Sequence, residues 1–360
     1  MRSEDYLKQK FDRIKIGSQY VGQGIPTFFI AEIGINHNGH LETAKELIKN
    51  AKMSGANAVK FQKRNIEKIF TKKMLSEPYE SVNSYGKTYG EHRLNLEFSR
   101  EDYVELMNCA AELDILFFAS VWDESSVDFM MDLNVDAFKI ASADATNLRL
   151  IDKVAQTGKP ILVSTGMSTE KEIQEIVRFV QARTSKYIFF HSTSLYPAKY
   201  TDVNLKFIDR LREITGENPI GYSGHEVDIL PSLVSVVKGV SVIERHLTLD
   251  KSGKGSDHSA SLIPSEFSDL VKQTRSIEQI LGEGSKDSLS SQLILMKRKL
   301  GKSLYYASDL SSGHRLKKEN LMLLSPGDGI TPIEELSIVG KRLARNVVAE
   351  QQVMLEDFNG

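Results

Sequence analysis

Residues 220–262, IGYSGHEVDILPSLVSVVKGVSVIERHLTLDKSGKGSDHSASL, decide how the chain folds. This stretch contains two histidines, His225 and His246, and each follows a short apolar run with the composition of a β-strand. A helix-like segment separates the two runs, as in neighbouring strands of a parallel sheet. Parallel neighbours end at the same edge of the sheet. The pattern therefore predicts that the two imidazoles lie close together.

The two histidines are candidate metal ligands. Neutral imidazoles with a carboxylate form a mixed nitrogen and oxygen set that suits Mn²⁺, Zn²⁺ or another divalent ion. Glu32 and Asp257 are the carboxylates that we expect nearby. Two isolated histidines near strand ends would be ordinary polar residues, so this interpretation depends on the rest of the chain.

Eight apolar runs alternate with amphipathic segments along residues 27–283. The runs are almost continuously apolar, which is typical of strands buried on both faces of a parallel sheet. Eight such strands predict a (β/α)8 TIM barrel. An open doubly wound sheet is the alternative, but it needs a glycine-rich turn where Gly34, Ile35 and Asn36 stand. The runs are residues 28–33, 58–61, 115–120, 137–140, 161–165, 187–191, 220–223 and 242–244.

Every one of these runs is closed by polar side chains. In a barrel the strand ends share one face, where barrel active sites lie, so eight polar ends predict a functional site. Two lysines with several hydroxyls suit a phosphate group, and a metal would activate a carbonyl. In strand order, the polar residues are Glu32; Lys60 and Gln62; Ser120; Lys139 and Ser142; Ser164 and Thr165; His191, Ser194 and Tyr196; Ser223 and His225; and Glu244 and His246.

Composition is ordinary for a globular protein, with 41% hydrophobic and 26% charged residues. The 46 Lys and Arg residues nearly balance the 48 Asp and Glu residues, which gives no indication of nucleic-acid binding. Cys109 is the single cysteine, and we expect it to be buried as a small hydrophobe. The first residues lack an apolar signal region, and no run of eighteen apolar residues occurs, so we expect a cytoplasmic protein without a membrane segment.

Composition also divides the chain. We expect a polar lead-in over residues 1–26, the barrel over residues 27–283, a Gly/Ser-rich linker over residues 284–296 and a small domain over residues 297–360. The sequence leaves open whether the lead-in packs against the barrel. The long connection at residues 63–98 predicts a lid, a binding loop or a subunit contact. Its Lys87, His92 and Arg93 would suit an anionic group of a substrate.

Several motifs are similar to those of the sialic acid (N-acetylneuraminate) synthase family. They are AEIGINHNGHLETAKELIKNAKMSGANAVKFQK, FKIASAD, VSTGMS, HSTSLYP, IGYSGHE and ERHLTLDKSGKGSDHSASL. The C-terminal segment from KLGKSLYYASDL onward resembles the β-rich antifreeze-like (SAF) domain that follows the barrel in this family. The resemblance extends from about residue 28 to the C-terminus with the same domain order.

This resemblance implies a condensation of phosphoenolpyruvate with N-acetylmannosamine or a close relative, which gives a nine-carbon 2-keto acid and free phosphate. His225 and His246 would bind Mn²⁺ or Mg²⁺, and Glu32 would manage the proton of an attacking water. The family implies a domain-swapped homodimer. Phosphoenolpyruvate would be held by Lys60, Ser120, Lys139, Ser142, Ser164 and Ser223. The sugar and the water would be oriented by Glu32, Gln62, Ser194, Tyr196, Glu244 and Asp257.

The acceptor sugar is open. Ser325 stands where bacterial members that use the unphosphorylated sugar carry an arginine, and Ser194 stands where some of them carry asparagine. The segment SYGKTYGEHR resembles animal-type synthases, which use N-acetylmannosamine 6-phosphate, so we expect Lys87, His92 or Arg93 to read the distal end of the sugar. Legionaminate, pseudaminate and Kdn-type synthases differ mainly in the acceptor. A Schiff-base aldolase, which also needs a barrel lysine, and a non-catalytic carbohydrate-binding protein are the alternatives from other classes.

Overall fold

A closed barrel of eight parallel strands forms the larger part of the protein, in a computed structural model that describes residues 13–358. The last barrel strand pairs with the first, so the sheet has no edge. The predicted TIM barrel is confirmed, and the strand ends differ from the predicted ones by at most two residues. The first ten strands are β1 (Ile14–Ile16), β2 (Gln19–Val21), β3 (Phe28–Gly34), β4 (Ala58–Lys63), β5 (Leu116–Val121), β6 (Phe138–Ile140), β7 (Ile161–Ser164), β8 (Tyr187–Ser192), β9 (Ile220–Gly224) and β10 (Val242–His246), of which β3 to β10 form the barrel.

The longer helices pack around the barrel through one apolar face. In α8 the buried residues Ile173, Ile176, Val177 and Val180 recur at helical spacing, and Thr169 begins the helix with a capping box. No helix among residues 13–358 combines the length and apolar character needed to cross a bilayer. The helices of this part are α1 (Leu41–Met53), α2 (Ile66–Ile69), α3 (Lys72–Ser76), α4 (Tyr89–Leu94), α5 (Arg100–Glu112), α6 (Glu124–Asp132), α7 (Leu148–Gln156), α8 (Glu170–Gln181), α9 (Tyr200–Val203), α10 (Phe207–Thr215), α11 (Leu230–Val237) and α12 (Pro264–Leu281).

The end of the predicted lead-in packs against the barrel. β1 and β2 form an antiparallel hairpin whose Ile14, Ile16 and Val21 belong to the main hydrophobic core. Gly17 turns the hairpin at φ +55°, and a Cβ there would lie 2.5 Å from a methyl carbon of Leu116. The hairpin is therefore fitted to the barrel, whereas residues 1–12 of the lead-in lie outside the described residues. Cys109 is buried in the same core, as predicted.

A second compact unit follows Gly282 and comprises Glu283–Gly360. Its core contains Leu304 and Tyr306 of strand β11 (Ser303–Tyr306), together with Leu316. Strand β11 pairs antiparallel with β12 (Leu321–Leu324). In its described part, residues 283–358, the α-helices are α13 (Ser291–Leu300) and α14 (Glu335–Ile338).

A helix, α13, begins within the stretch that we expected to be a linker, residues 284–296. Ser290 caps this helix by accepting a hydrogen bond from the backbone N–H of Leu293 at 3.3 Å. The residues that follow are mostly strong helix formers such as Leu, Met and Lys. The Gly/Ser-rich composition concealed this N-cap, since serine is favoured both in linkers and at helix starts.

Candidate active site

A cavity of about 100 Å³ lies at the C-terminal ends of the barrel strands. It is lined by side chains from all eight strand ends, as expected for a barrel active site. The predicted site residues that do not line it are Thr165, His191, Asp257, Lys87, His92 and Arg93. The predicted residues that do line it are Glu32, Lys60, Gln62, Ser120, Lys139, Ser142, Ser164, Ser194, Tyr196, Ser223, His225, Glu244 and His246.

Two lysines and two glutamates form a buried charge network in this cavity. Lys60 Nζ lies 2.6 Å from Glu32 Oε2 and 3.6 Å from Glu244 Oε1, while Lys139 Nζ lies 2.8 Å from Glu244 Oε2. Ser120 accepts a hydrogen bond from Lys60 at 2.7 Å, and Glu244 accepts one from the Ser223 hydroxyl at 3.1 Å. All four charged side chains are at least 93% buried. Glu244 therefore joins the two lysines, which come from β4 and β6 with β5 between them.

Burial and pairing set the charges of this network. Burial lowers the pKa of Lys139 to about 8, although Glu244 opposes the change. Burial also works to raise the pKa of Glu244, but Lys139 and Lys60 outweigh it and hold that pKa at about 2. For Lys60, Glu244 and Glu32 together outweigh burial and raise the pKa above its ordinary value. Both lysines are therefore cationic at neutral pH and can receive an anion.

His225 and His246 lie on neighbouring strand ends, with ring centroids 5.5 Å apart. His225 Nδ1 donates a hydrogen bond to the carbonyl oxygen of Thr193 at 2.8 Å, so the proton of the neutral ring is on Nδ1. The other nitrogen, Nε2, is therefore free to act as an acceptor or metal ligand. Burial, with His246 beside it, lowers the pKa of His225 to about 3, so this imidazole is neutral. His246 Nδ1 is buried without a hydrogen-bond partner and lies 3.9 Å from Asp257 Oδ2. Asp257 therefore lies next to His246 and outside the cavity lining.

Seryl hydroxyls and a backbone N–H gather on the other side of the cavity. The Gly166 N–H donates to Ser142 Oγ at 3.0 Å, and Ser142 Oγ lies 3.3 Å from Ser192 Oγ. A Cβ at Gly166 would lie 2.6 Å from Ser194 Oγ, so only glycine fits among these hydroxyls. Such a group of small donors suits the oxygens of a phosphate or carboxylate.

Strand alternation separates site residues from their neighbours on β8. Phe190 faces the barrel interior, where Lys139 Nζ lies 3.7 Å above its ring, and Ser192 follows at the same parity. His191 has the opposite parity: its Nε2 lies 2.6 Å from the carbonyl of Val203. We predicted His191 at the site and missed Ser192, although the period of two places Ser192 inside the barrel and His191 outside.

Arg64 and Trp122 are two further residues of this region that we did not predict from the sequence. Trp122 lines the cavity, and the guanidinium of Arg64 lies 4.3 Å from the centre of its ring. Arg64 also donates a hydrogen bond to Gln62 Oε1. Lys60, Gln62 and Arg64 recur at every second position, so the strand period was again the available signal.

The three predicted residues of the long connection lie apart from the cavity lining. His92 is buried and accepts a hydrogen bond at Nδ1 from the backbone N–H of Tyr85 at 3.1 Å. Burial, with Arg93 beside it, lowers the pKa of His92 to about 4, so this imidazole is neutral at pH 7. Arg93 Nε donates to the Tyr89 hydroxyl at 2.9 Å, and the Lys87 backbone N–H donates to Glu91 at 2.6 Å.

The long connection packs on the loop that carries Asp257. The Tyr85 hydroxyl donates to the carbonyl of Lys254, and the backbone N–H of Gly255 donates to Asn83 Oδ1 at 3.1 Å. The ammonium of Lys254 lies 4.6 Å from the centre of the Tyr85 ring. Lys254 thus adds a cation at the junction of these two loops.

The substitution Glu244→Gln tests the charge network. It leaves two buried ammonium groups without their shared carboxylate, so we expect the free energy of unfolding to fall by about 3–5 kcal/mol, measured by urea denaturation. Glu105→Gln is the matched control, because it breaks a 2.7 Å pair with Lys45 in which the glutamate is 54% exposed. The control should cost at most about 1 kcal/mol. Equal losses in the two variants would contradict the described network.

The chain is similar to known proteins over most of its length. The NeuB family model matches residues 47–286, and the SAF domain model matches residues 301–359. N-acetylneuraminate-9-phosphate synthase from Homo sapiens is 40% identical over 339 residues, which cover 94% of each chain. N,N'-diacetyllegionaminic acid synthase from Legionella pneumophila is 38% identical and covers 93% of this chain and 95% of its own.

A solved structure extends the likeness to three dimensions. The crystal structure of N-acetylneuraminic acid (sialic acid) synthetase from Leptospira borgpetersenii matches with a TM-score of 0.70 and 32% identity, and covers 79% of this chain and 95% of that one. The family model alone spans about two thirds of the chain, and the relatives match over nearly its whole length. The chain therefore belongs to the NeuB family of sialic and related nonulosonic acid synthases and carries a SAF domain at its C-terminal end.

Proposed function

We propose that the protein condenses phosphoenolpyruvate with the open-chain aldehyde of N-acetylmannosamine or its 6-phosphate. The product would be a nine-carbon 2-keto sugar acid, N-acetylneuraminate or its 9-phosphate, released together with inorganic phosphate. The observation that carries this proposal is the pair of buried lysines, Lys60 and Lys139, in a cavity at the barrel's strand ends. Membership of the NeuB family supports it.

Phosphoenolpyruvate would bind where these lysines meet the hydroxyls. Its carboxylate and phosphate are anions, and Lys60 and Lys139 supply two cations that are already dehydrated and held in place. Ser120 lies within hydrogen-bond distance of Lys60, and Ser142 and Gly166 provide further donors. Ser164 and Ser223 complete this set.

The two histidines fit a divalent cation, for which Mn²⁺ and Mg²⁺ are our candidates. His225 is neutral, with its Nδ1 proton engaged by a carbonyl, and His246 has a buried nitrogen without a hydrogen-bond partner. Among residues 13–358 no three His, Cys, Asp or Glu side chains surround one point at metal distance. We therefore propose that His225 and His246 are the protein ligands and that water or substrate supplies the others. When bound, such an ion would act as a Lewis acid on the aldehyde oxygen.

The reaction balances with these groups. C3 of phosphoenolpyruvate forms a bond with C1 of the aldehyde, whose oxygen takes a proton and becomes a hydroxyl. Water adds to the electron-poor C2 and loses a proton, for which Glu32 is our candidate acceptor. The C2–O bond to the phosphate then breaks and its electron pair leaves with the phosphate. The new C2 hydroxyl gives its proton to the departing phosphate, and C2 becomes the keto carbon. Lys60 Nζ lies 2.6 Å from Glu32 Oε2 and so fixes the position of this carboxylate in the cavity.

The acceptor would enter past Gln62, Ser194 and Tyr196, which line the cavity. For a 6-phosphate we propose Arg93 as the reader of the distal end, because the neutral His92 offers no charge there. Lys87 and Lys254 supply further cations of the same two loops. Human N-acetylneuraminate-9-phosphate synthase and the Legionella N,N'-diacetyllegionaminic acid synthase are almost equally similar to this chain. Sequence similarity therefore does not identify the acceptor sugar, and an activity measurement is needed.

The test is phosphate release from phosphoenolpyruvate with Mn²⁺, compared for N-acetylmannosamine, its 6-phosphate and a 2,4-diacetamido sugar. We expect release that requires one of these acceptors and stops with a chelator. Glu32→Gln should abolish it, while the surface variant Glu105→Gln retains it. A preference for the 6-phosphate that Arg93→Ala removes would assign the distal reader. Inactivation by borohydride with pyruvate, without any acceptor-dependent release, would favour the Schiff-base aldolase instead.

A homodimer is part of the proposal. In α13, the consecutive residues Leu293, Ile294, Leu295 and Met296 are 51–65% exposed, which is unusual for a surface that contacts only water. We propose that a second copy of the chain covers them, in a domain-swapped arrangement. Light scattering should give twice the mass of 40.4 kDa, and Ile294→Lys with Leu295→Lys should shift the protein to the monomer mass. A wild-type monomer would contradict the dimer.

Phosphoenolpyruvate is a cytoplasmic metabolite, which supports the expected cytoplasmic location.

A further inference from the structure

Two buried charged residues adjoin the two histidines in sequence. Glu226 follows His225, and Arg245 precedes His246. Arg245 is fully buried and Glu226 is 99% buried, yet neither lines the cavity. Burial of a guanidinium and of a carboxylate is unfavourable for each ion before any contact is made. Because they adjoin both candidate metal ligands in sequence, these two charged residues can position those ligands.

Arg245 binds the backbone that leaves His225. Its Nη1 donates to the carbonyl of Asp228 at 2.7 Å and to Ser232 Oγ at 3.1 Å. Its Nη2 donates to the carbonyl of Glu226. The guanidinium therefore fixes the turn directly after one histidine, while its own backbone lies directly before the other.

Glu226 completes the connection between β9 and β10. Its Oε1 accepts a hydrogen bond from the Tyr222 hydroxyl, and its Oε2 lies 3.8 Å from Arg245 Nη1. Gly224 is the register partner of Arg245 across the two strands. A Cβ at Gly224 would lie 2.6 Å from Glu226 Oε2 and 3.2 Å from Arg245 Cδ, so glycine is required for the side chains to pass.

We propose that Arg245 and Glu226 are positioning residues that set the separation of the His225 and His246 imidazoles and so tune the affinity for a divalent cation. This rests on the metal in the proposed function. The pair acts behind the histidines, because it binds the backbone on which they are carried and does not touch the cavity. Residues that orient histidine ligands in this indirect way typically change metal affinity 10–100-fold when they are replaced.

The experiment measures Mn²⁺ binding by calorimetry in the metal-free full chain and in the Arg245→Met, Glu226→Gln double variant. Replacement of both charges avoids an unpaired buried ion, so the fold is retained more readily than after a single change. We expect the Kd for Mn²⁺ to rise 10–100-fold. With Co²⁺ as a second probe, the visible absorption bands should shift, which reports the ligand geometry independently of activity.

A second variant and a control make the result specific. Arg245→Lys keeps the charge but cannot reach both carbonyl groups, so it should give a smaller loss of Mn²⁺ affinity. In the control, Arg275→Met with Glu278→Gln removes a 2.9 Å pair that binds the backbone of Thr27 before β3. This variant should bind Mn²⁺ as the wild type does, even if its melting temperature falls.

The outcomes separate this inference from the proposed function. Wild-type binding that His225→Ala abolishes places the metal on the histidines. Unchanged Mn²⁺ affinity and Co²⁺ spectra in both Arg245 variants would then overturn the positioning role alone. A wild-type chain that binds no Mn²⁺ would contradict the metal in the proposed function, and the positioning role with it.

Discussion

The site depends on a charge balance that is buried at the barrel mouth. Two ammonium groups, Lys60 and Lys139, share the Glu244 carboxylate, and Glu32 neutralises Lys60 from the other side. Without the lysines the carboxylates would be costly to bury, and without the carboxylates the lysines would lose their protons. The network thus keeps two cations dehydrated and charged before any substrate arrives, which is the preorganisation that stabilisation of an anionic substrate requires.

Barrel closure explains why these groups meet. Lys60 and Lys139 are 79 residues apart in sequence, and Lys139 and Glu244 are 105 residues apart. Only a closed parallel sheet brings the ends of their strands to one face. Because side chains alternate along each strand, the strand ends carry two layers of residues, one inside the barrel and one outside. Interior residues form the cavity, and exterior residues such as Arg245 and Glu226 hold the strand ends from behind. A change in either layer would therefore alter the site, for different physical reasons.

Much of this could be predicted from the sequence. Continuous apolar runs gave the eight strands, and the polar residues after them gave most of the cavity lining, because both follow from local composition. The burial of His92 could not be predicted, since it depends on contacts with tyrosines from the same long connection. The N-terminal hairpin and α13 were also missed, because short or polar-flanked elements are defined by packing and capping rather than by periodicity. Ser192 and Arg64 were missed although strand alternation pointed to both.

The measurement that tests the central claim most directly is the fate of the bridging oxygen of phosphoenolpyruvate. If the protein joins C3 to an aldehyde and expels phosphate from C2, phosphoenolpyruvate with ¹⁸O at the C–O–P bridge should transfer that label to the released phosphate in a reaction that requires the sugar. Label in the phosphate would mean that the C–O bond breaks, as the account predicts. Unlabelled phosphate would mean cleavage of the P–O bond by simple hydrolysis and would contradict the account.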